Sequence, residues 1–290
     1  LIFSVLFGIL EFIRGYIFTG FPWNLIAFSF LKNLNFIQIL SVIGTYSFNL
    51  ICISLFTVPA IFFLRKTKKE IFVCIFFLLV SMTFLLFGVL QNKKFNSTQI
   101  NKHDYIIRSI GSNIPLDRFF SQDNEYEIIK ELILLSNPEK IKPTVFIWPE
   151  GIIPHSYISE LKVYEDLFYN EFGDNHLIIL GANSFKNVNE KNNYYNSMGI
   201  FDNKLNVIQS YNKINLVPFG EFIPFENILS KVGLKTITNN YESFSKGLER
   251  KVIEIDEKEL SFRLLPLICY EIIYSGEITN KTDFDYIINI

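Results

Sequence analysis

Hydrophobic and polar positions divide the chain into two unlike parts. Residues Ile71–Leu90 form an uncharged run of 20. At a helical rise of about 1.5 Å per residue, such a run covers about 30 Å, the hydrocarbon thickness of a bilayer. No charge occurs between Lys32 and Arg65, a stretch long enough for one tilted span and an interfacial segment. Residues 1–18 are a third candidate span, interrupted by Glu11 and Arg14. These two share a helix face and are expected to pair. From Lys102 the pattern changes to short apolar runs between polar segments. Strands are predicted at Tyr105–Ile110, Thr144–Trp148, Leu177–Leu180 (ended by Gly181), Tyr195–Phe201, Leu205–Tyr211 and Leu260–Ile268, with another beginning at Tyr286. Asp202-Asn203 reads as the turn of a strand pair. Helices are predicted at Asn124–Ser136, where Tyr126, Ile129, Leu132 and Ile133 share one face, and at Ser156–Phe172. Strands alternating with helices predict a layered α/β domain. The expected division is a helical membrane region over 1–93 and a catalytic domain over 94–290.

Charge gives the membrane region a direction. Arg65, Lys66, Lys68 and Lys69 cluster between the second and third spans, against Lys93 and Lys94 beyond the third. The positive-inside rule puts the larger cluster in the cytoplasm and the domain after Gln91 on the far side. The formal net charge of −2 gives no electrostatic argument for nucleic acid. Cys52 and Cys74 lie in apolar runs and read as small hydrophobes. Cys269 stands alone in the polar part, so no disulfide framework is expected. His103, His155 and His176 lack metal-ligand spacing, and neither metal nor cofactor is expected. The chain begins with Leu, and Asp285–Ile290 reads as a strand cut in mid-run. A fragment is therefore expected.

Three reactive side chains follow predicted strands directly. Glu150 follows Thr144–Trp148, Lys213 follows Leu205–Tyr211, and Cys269 follows Leu260–Ile268. The C-terminal edge of strands is where sites assemble in open α/β sheets. A carboxylate can take a thiol proton there, and an ammonium can favour the thiolate and the oxyanion formed on attack. Taken singly, a cysteine ending an apolar strand is usually inert core, and a glutamate or lysine after a strand is usually solvated. Periodicity does not say that the three meet.

The segments around them carry a resemblance. Phe146-Ile147-Trp148-Pro149-Glu150 resembles the base motif of the nitrilase, or carbon–nitrogen hydrolase, superfamily. Lys213–Pro224 resembles its lysine motif in the N-acyltransferase version, and Ile268-Cys269-Tyr270-Glu271 its nucleophile motif. The order Glu, Lys, Cys, at separations of 63 and 56 residues, matches the superfamily. Gly20-Phe21-Pro22-Trp23, with Glu11 and Arg14 before it, resembles a membrane-domain motif of apolipoprotein N-acyltransferases. Asn113-Ile114-Pro115 and Tyr195-Asn196-Ser197 resemble two further motifs of that family. One departure is Phe120, where the family usually carries Trp. Phe120 keeps an aromatic surface without the indole N–H.

The resemblance implies a nitrilase-like α-β-β-α sandwich, incomplete at its C-terminus, behind a partial membrane helical bundle. It implies transfer of an acyl chain from a glycerophospholipid, through a thioester on Cys269, to the N-terminal amine of a diacylated apolipoprotein. Glu150, Lys213 and Cys269 would be catalytic. Glu221, Tyr270 and Glu271 would support them, and Phe120 and Phe219 would contact substrate. The setting implied is a multi-pass protein of the bacterial inner membrane, monomeric, with its site on the periplasmic side. Keeping acyl chains out of water, at about 0.8 kcal/mol per CH₂, makes a membrane-face site reasonable. The Pro, Phe and Gly of Leu216–Pro224 predict a mobile lid there. A membrane-anchored amidase or nitrilase using the same triad is the alternative. A binding protein without activity is a third reading, disfavoured because all three triad residues are present.

Overall fold

The computed structural model describes residues 2–17, 20–64, 68–98, 103–115, 125–188, 191–225, 243–274, 276, 278 and 283–290. Phe120, Arg65 and Lys66 fall outside them. The chain forms two compact units, Leu1–Lys102 with Ile273–Glu277, and His103–Ile272 with Ile278–Ile290.

The first unit is helical. Its main helices are Ile2–Arg14, Thr45–Leu64 and Lys68–Ser97, with a 3-10 turn at Ile26–Phe30 and single turns at Leu34–Ile37 and Leu40–Ile43. Lys68–Ser97, 30 residues, is the one helix among the described residues long and apolar enough to cross a membrane. It runs past residue 93, where the sequence pattern put the end of the helical region. Phe36, Phe48 and Phe84 pack together at this unit's centre. Polar groups inside it are paired: Asn49 Oδ1 accepts from Ala27 N at 2.9 Å, and the Ser4 and Thr57 hydroxyls meet at 3.0 Å. Arg14 and Glu11 form the expected ion pair at 3.1 Å. Arg14 also donates to the carbonyls of Phe21 (3.2 Å) and Trp23 (2.7 Å), holding the Gly20–Trp23 loop.

The second unit is built on two sheets. Strands β1 (Ile106–Ser109), β2 (Thr144–Ile147), β3 (Ile153–Tyr157), β4 (His176–Val188), β5 (Lys191–Phe201) and β6 (Val207–Asn212) form the larger, ordered β1-β2-β4-β5-β6, with β3 also on β4. β1, β2 and β4 are parallel, and β5 and β6 return antiparallel. Strands β7 (Ile253–Glu257), β8 (Leu260–Leu267) and β9 (Tyr286–Asn289) form the smaller. Strand alternation sorts the side chains. Phe146, Ile178 and Leu180 face one way, against Ile128, Ile129 and Leu132 of helix Glu125–Ser136 and Phe168 of helix Glu165–Glu171. Val145, Leu177 and Ile179 face the other way, against Ile255, Phe262 and Leu264 of the smaller sheet. Because Val145–Ile147 of β2 and Leu177–Leu180 of β4 are covered on both faces, they read as unbroken apolar runs, whereas β4 emerges toward solvent beyond Ala182. Three layers, helix–sheet–sheet, result.

Three expectations need correction, and one strand is additional. The helix over Ser156–Phe172 is mostly absent: β3 occupies Ile153–Tyr157, a 3-10 turn Leu161–Tyr164, and only Glu165–Glu171 is α-helical. Pairing with β4 decides this, since Ile153 lies opposite Ala182 and Ile158 N donates to Asn183 O at 2.8 Å. The buried Glu125 carboxylate adds to it by accepting from His155 N and the Ser156 hydroxyl. Gly181 does not end its strand; β4 continues to Val188. A Cβ at Gly181 would lie 2.7 Å from Glu150 Cα, so this glycine permits close backbone approach instead. The strand predicted from Leu205 starts at Val207, because Leu205 turns at φ +55°. β7 was not anticipated, although Ile253 and Ile255 alternate with Glu254 and Asp256.

Candidate active site

Each candidate reactive residue leaves a strand end at a defined anchor. Trp148 N donates to Ile179 O at 2.8 Å, and its buried indole donates to Ser136 Oγ at 2.9 Å, fixing the turn that carries Glu150. Lys213 comes directly after β6, its N–H donating to Asn196 O at 2.9 Å. Cys269 comes two residues after β8 and opens a 3-10 turn to Ile273. It sits at φ +56°, a left-handed conformation unusual for a residue with a Cβ, while its N–H donates to Ile290 O at 2.6 Å. Strain of this kind is common where a side chain must be presented at a sharp turn.

The carboxylates and the ammonium form one network. The Lys213 side chain is 1% exposed, and its Nζ lies 3.3 Å from Glu150 Oε1 and 2.9 Å from Glu221 Oε1. Asn196 Nδ2 donates to the same two oxygens, at 2.7 and 2.8 Å. Glu221 Oε2 accepts from Val217 N at 2.8 Å, tying the loop after Lys213 into the network. The Tyr270 ring centre is 5.2 Å from Lys213 Nζ, within cation–π range. Burial pulls the lysine's pKa down, but the charges of Glu150 and Glu221 outweigh it and the net shift is upward, so the ammonium persists. Burial pushes the Cys269 thiol up, the neighbouring Glu150 charge and a hydrogen bond to Glu150 push the same way, and Lys213 opposes them. The thiol is thus held protonated at rest beside a carboxylate able to accept its proton as it attacks. This arrangement favours general-base activation over a standing thiolate.

Glu271 is fully buried and accepts from three backbone amides: Ile214 (2.9 Å) and Asn215 (3.0 Å), next to Lys213, and Ile268 (2.9 Å), next to Cys269. Tyr211 and Arg250 also donate to it. It therefore locks the lysine turn and the cysteine turn together. Phe219 is 60% exposed at φ +63° on the loop that Glu221 closes. The structure thus brings together Glu150, Lys213, Cys269, Glu221, Tyr270 and Glu271. The sequence motif Tyr195-Asn196-Ser197 assigns Asn196 no role, and no sequence motif marks Arg250 or Tyr211 as functional. Arg250 lies in the charged stretch Leu248–Lys251, which reads as solvated surface. Among the described residues no group of His, Cys, Asp and Glu could hold a metal.

Two family models match the chain. Residues 1–58 match the apolipoprotein N-acyltransferase N-terminal domain, and residues 135–289 match carbon–nitrogen hydrolase. The chain belongs to the carbon–nitrogen hydrolase family. Among its curated relatives are apolipoprotein N-acyltransferases of Rhizobium rhizogenes (27% identical, over 98% of this chain and 54% of the relative) and Rickettsia prowazekii (29%, 100% and 57%). Another is that of Rhodopseudomonas palustris (28%, 95% and 52%). The chain spans about half the length of the curated relatives it matches. Solved structures similar to it include an amidase from Nesterenkonia sp. (15% identical, 60% of this chain and 58% of that one, TM-score 0.33). A CN-hydrolase superfamily protein from Xanthomonas campestris is another (14%, 65% of each, TM-score 0.33). Both structural likenesses are too slight to bear on function.

Proposed function

We propose that this chain carries the acyl-transfer site of an apolipoprotein N-acyltransferase, with Glu150, Lys213 and Cys269 catalytic. The observation that carries the reading is the shared network in which one buried ammonium bridges Glu150 and Glu221 beside the Cys269 thiol, whose pKa is raised by burial first and by the Glu150 charge second. Glu150 takes the thiol proton as Cys269 attacks the ester carbonyl of a glycerophospholipid. Lys213 stabilises the tetrahedral oxyanion. The C–O bond breaks, the lysophospholipid alkoxide recovers the proton from Glu150, and the acyl chain remains as a thioester. The amine of a diacylated apolipoprotein then attacks the thioester, Glu150 accepts its proton, and the Cys269 thiolate leaves and is reprotonated. Glu221 and Asn196 hold Lys213 and Glu150, Glu271 holds the two turns, and the exposed Phe219 offers apolar surface to the chain.

The reading includes a bacterial membrane setting, with region 1–93 in the bilayer and domain 94–290 on the periplasmic side. Phe72, Leu78, Leu79, Met82, Leu86 and Leu90 on helix Lys68–Ser97 are each more than half exposed. Water would penalise that surface by about 25 cal/mol per Å², whereas lipid would not. The test is intact mass of the full-length protein in detergent after incubation with phospholipid and no acceptor. An acyl adduct removable by neutral hydroxylamine, present in the wild type and absent in Cys269→Ala, is the expected result. No adduct on a folded wild type would exclude phospholipid as donor and favour hydrolysis of small amides.

A further inference from the structure

The segment Phe244–Gly247 belongs to no helix or strand, yet its backbone is tied to the framework of the site. Phe244 N donates to Glu221 O at 2.8 Å, Ser245 N to Tyr194 O at 2.6 Å and Gly247 N to Lys213 O at 2.8 Å. Tyr194 lies on β5, the strand that also carries Asn196. Lys213 N donates to Asn196 O at 2.9 Å, so both backbone polar groups of Lys213 are bonded, one to β5 and one to this segment. The bonds from Phe244 and Gly247 hold the two ends of the loop Lys213–Glu221, whose side chains meet at 2.9 Å. At most about 11 Å of chain joins those two bonds, because extended chain covers about 3.6 Å per residue. The segment thus works as a short backbone clip across the loop.

Glycine at 247 is what lets the clip close. A Cβ there would lie 2.1 Å from Asn212 O, 2.9 Å from Asn212 C and 3.1 Å from Lys213 O. All three are backbone atoms, so no side-chain rotation relieves the contact. Either the Asn212–Lys213 peptide is displaced or the segment withdraws. The Asn212 side chain resists the first course, since its Oδ1 accepts from Ser197 Oγ at 2.8 Å and Ser184 Oγ at 3.3 Å. Withdrawal takes the donor from Lys213 O and slackens the loop that carries Glu221. We propose that Gly247 is a positioning residue: by letting Phe244–Gly247 clip Lys213 to Glu221, it sets where the Lys213 ammonium stands beside Cys269. The effect on rate rests on the acyl-transfer reading; the effect on the thiol does not.

The test is Gly247→Ala in the full-length protein in detergent, read in two ways. The Lys213 charge lowers the Cys269 pKa against burial and the Glu150 charge, and Glu150 comes from the turn after β2, which the clip does not touch. An ammonium moved off its place should therefore raise the pH midpoint of iodoacetamide alkylation at Cys269, by about half a unit or more. The maximal rate of thioester formation should fall about tenfold or more. The phospholipid concentration giving half that rate should stay within about twofold, as for a contact made chiefly in the transition state. Lys246→Ala, at the exposed neighbouring position, should move neither readout. Wild-type rate in Gly247→Ala would overturn the proposal. So would a lower rate with an unmoved alkylation midpoint, which a packing defect alone predicts. If Gly247→Ala does not fold, hydrogen exchange of the wild type decides: the Phe244 and Gly247 amides should exchange as slowly as those of β6, and exchange at the rate of open chain would overturn the clip. If wild type forms no thioester, the acyl-transfer reading fails, while the alkylation midpoint still decides whether Gly247 places the ammonium.

Discussion

Asn196 offers a sharp test of how the base is held. Its Nδ2 donates to Glu150 Oε1 at 2.7 Å and Glu221 Oε1 at 2.8 Å, while its backbone carbonyl accepts from Lys213 N. Asn196→Leu removes both side-chain bonds, keeps the branching at Cγ and leaves the backbone bond in place. A hydrogen bond to a charged acceptor contributes about 1.5–3 kcal/mol. The acceptors keep some exposure, 26% for Glu150 and 13% for Glu221, so the lower end applies to each. The two together come to about 3 kcal/mol, and about 1.4 kcal/mol corresponds to tenfold in rate. The rate of thioester formation, followed by intact mass at saturating phospholipid, should therefore fall about 100-fold. Asn196→Asp should be worse than Leu, since it sets a third carboxylate beside two. A loss smaller than threefold in Asn196→Leu would refute the idea that this amide orients Glu150.

Other outcomes follow from the same geometry. Because the Glu150 charge raises the Cys269 pKa, Glu150→Gln should move the pH profile of iodoacetamide alkylation at Cys269 to lower pH while abolishing thioester formation. An unmoved profile would mean the two groups do not interact. Gly181→Ala would force a Cβ to within 2.7 Å of Glu150 Cα and 3.0 Å of Gly151 N. Misplacing the base by an ångström should cost about 100-fold in kcat, and wild-type kinetics would reject the close approach. His176 is buried with Nδ1 accepting from Gly173 N and Nε2 facing two carbonyls, and burial lowers its pKa. The unfolded chain thus binds the proton first, so the melting temperature should fall as pH drops below about 6.5. That slope should flatten in His176→Gln, and an equal slope in both would assign it elsewhere. The amides of Val217, Phe219, Gly220 and Glu221 are all bonded within their own loop. If Leu216–Pro224 is a lid, their hydrogen exchange should be rapid and slowed by substrate; full protection without substrate would end that proposal.

The sequence alone determined what local chemistry controls. A 20-residue uncharged run needs no tertiary partner to read as a long apolar helix, and the apolar runs Val145–Ile147 of β2 and Leu177–Leu180 of β4 follow from burial on two faces. Glu150, Lys213 and Cys269 were legible through their motifs and strand-end positions, and so was the Glu11–Arg14 pair, set by helical spacing. Only the tertiary structure decided the rest. Ile153–Tyr157 became a strand because β4 offered it a free edge, which no window of local sequence contains. Gly181 reads as a stop until the Glu150 turn is packed against it. Arg250 reads as one charge in a solvated run, and it becomes the counterion of Glu271 only when the fold closes 21 residues of chain between them. Partners of buried charges are chosen by approach in space, and a one-dimensional pattern records spacing without approach.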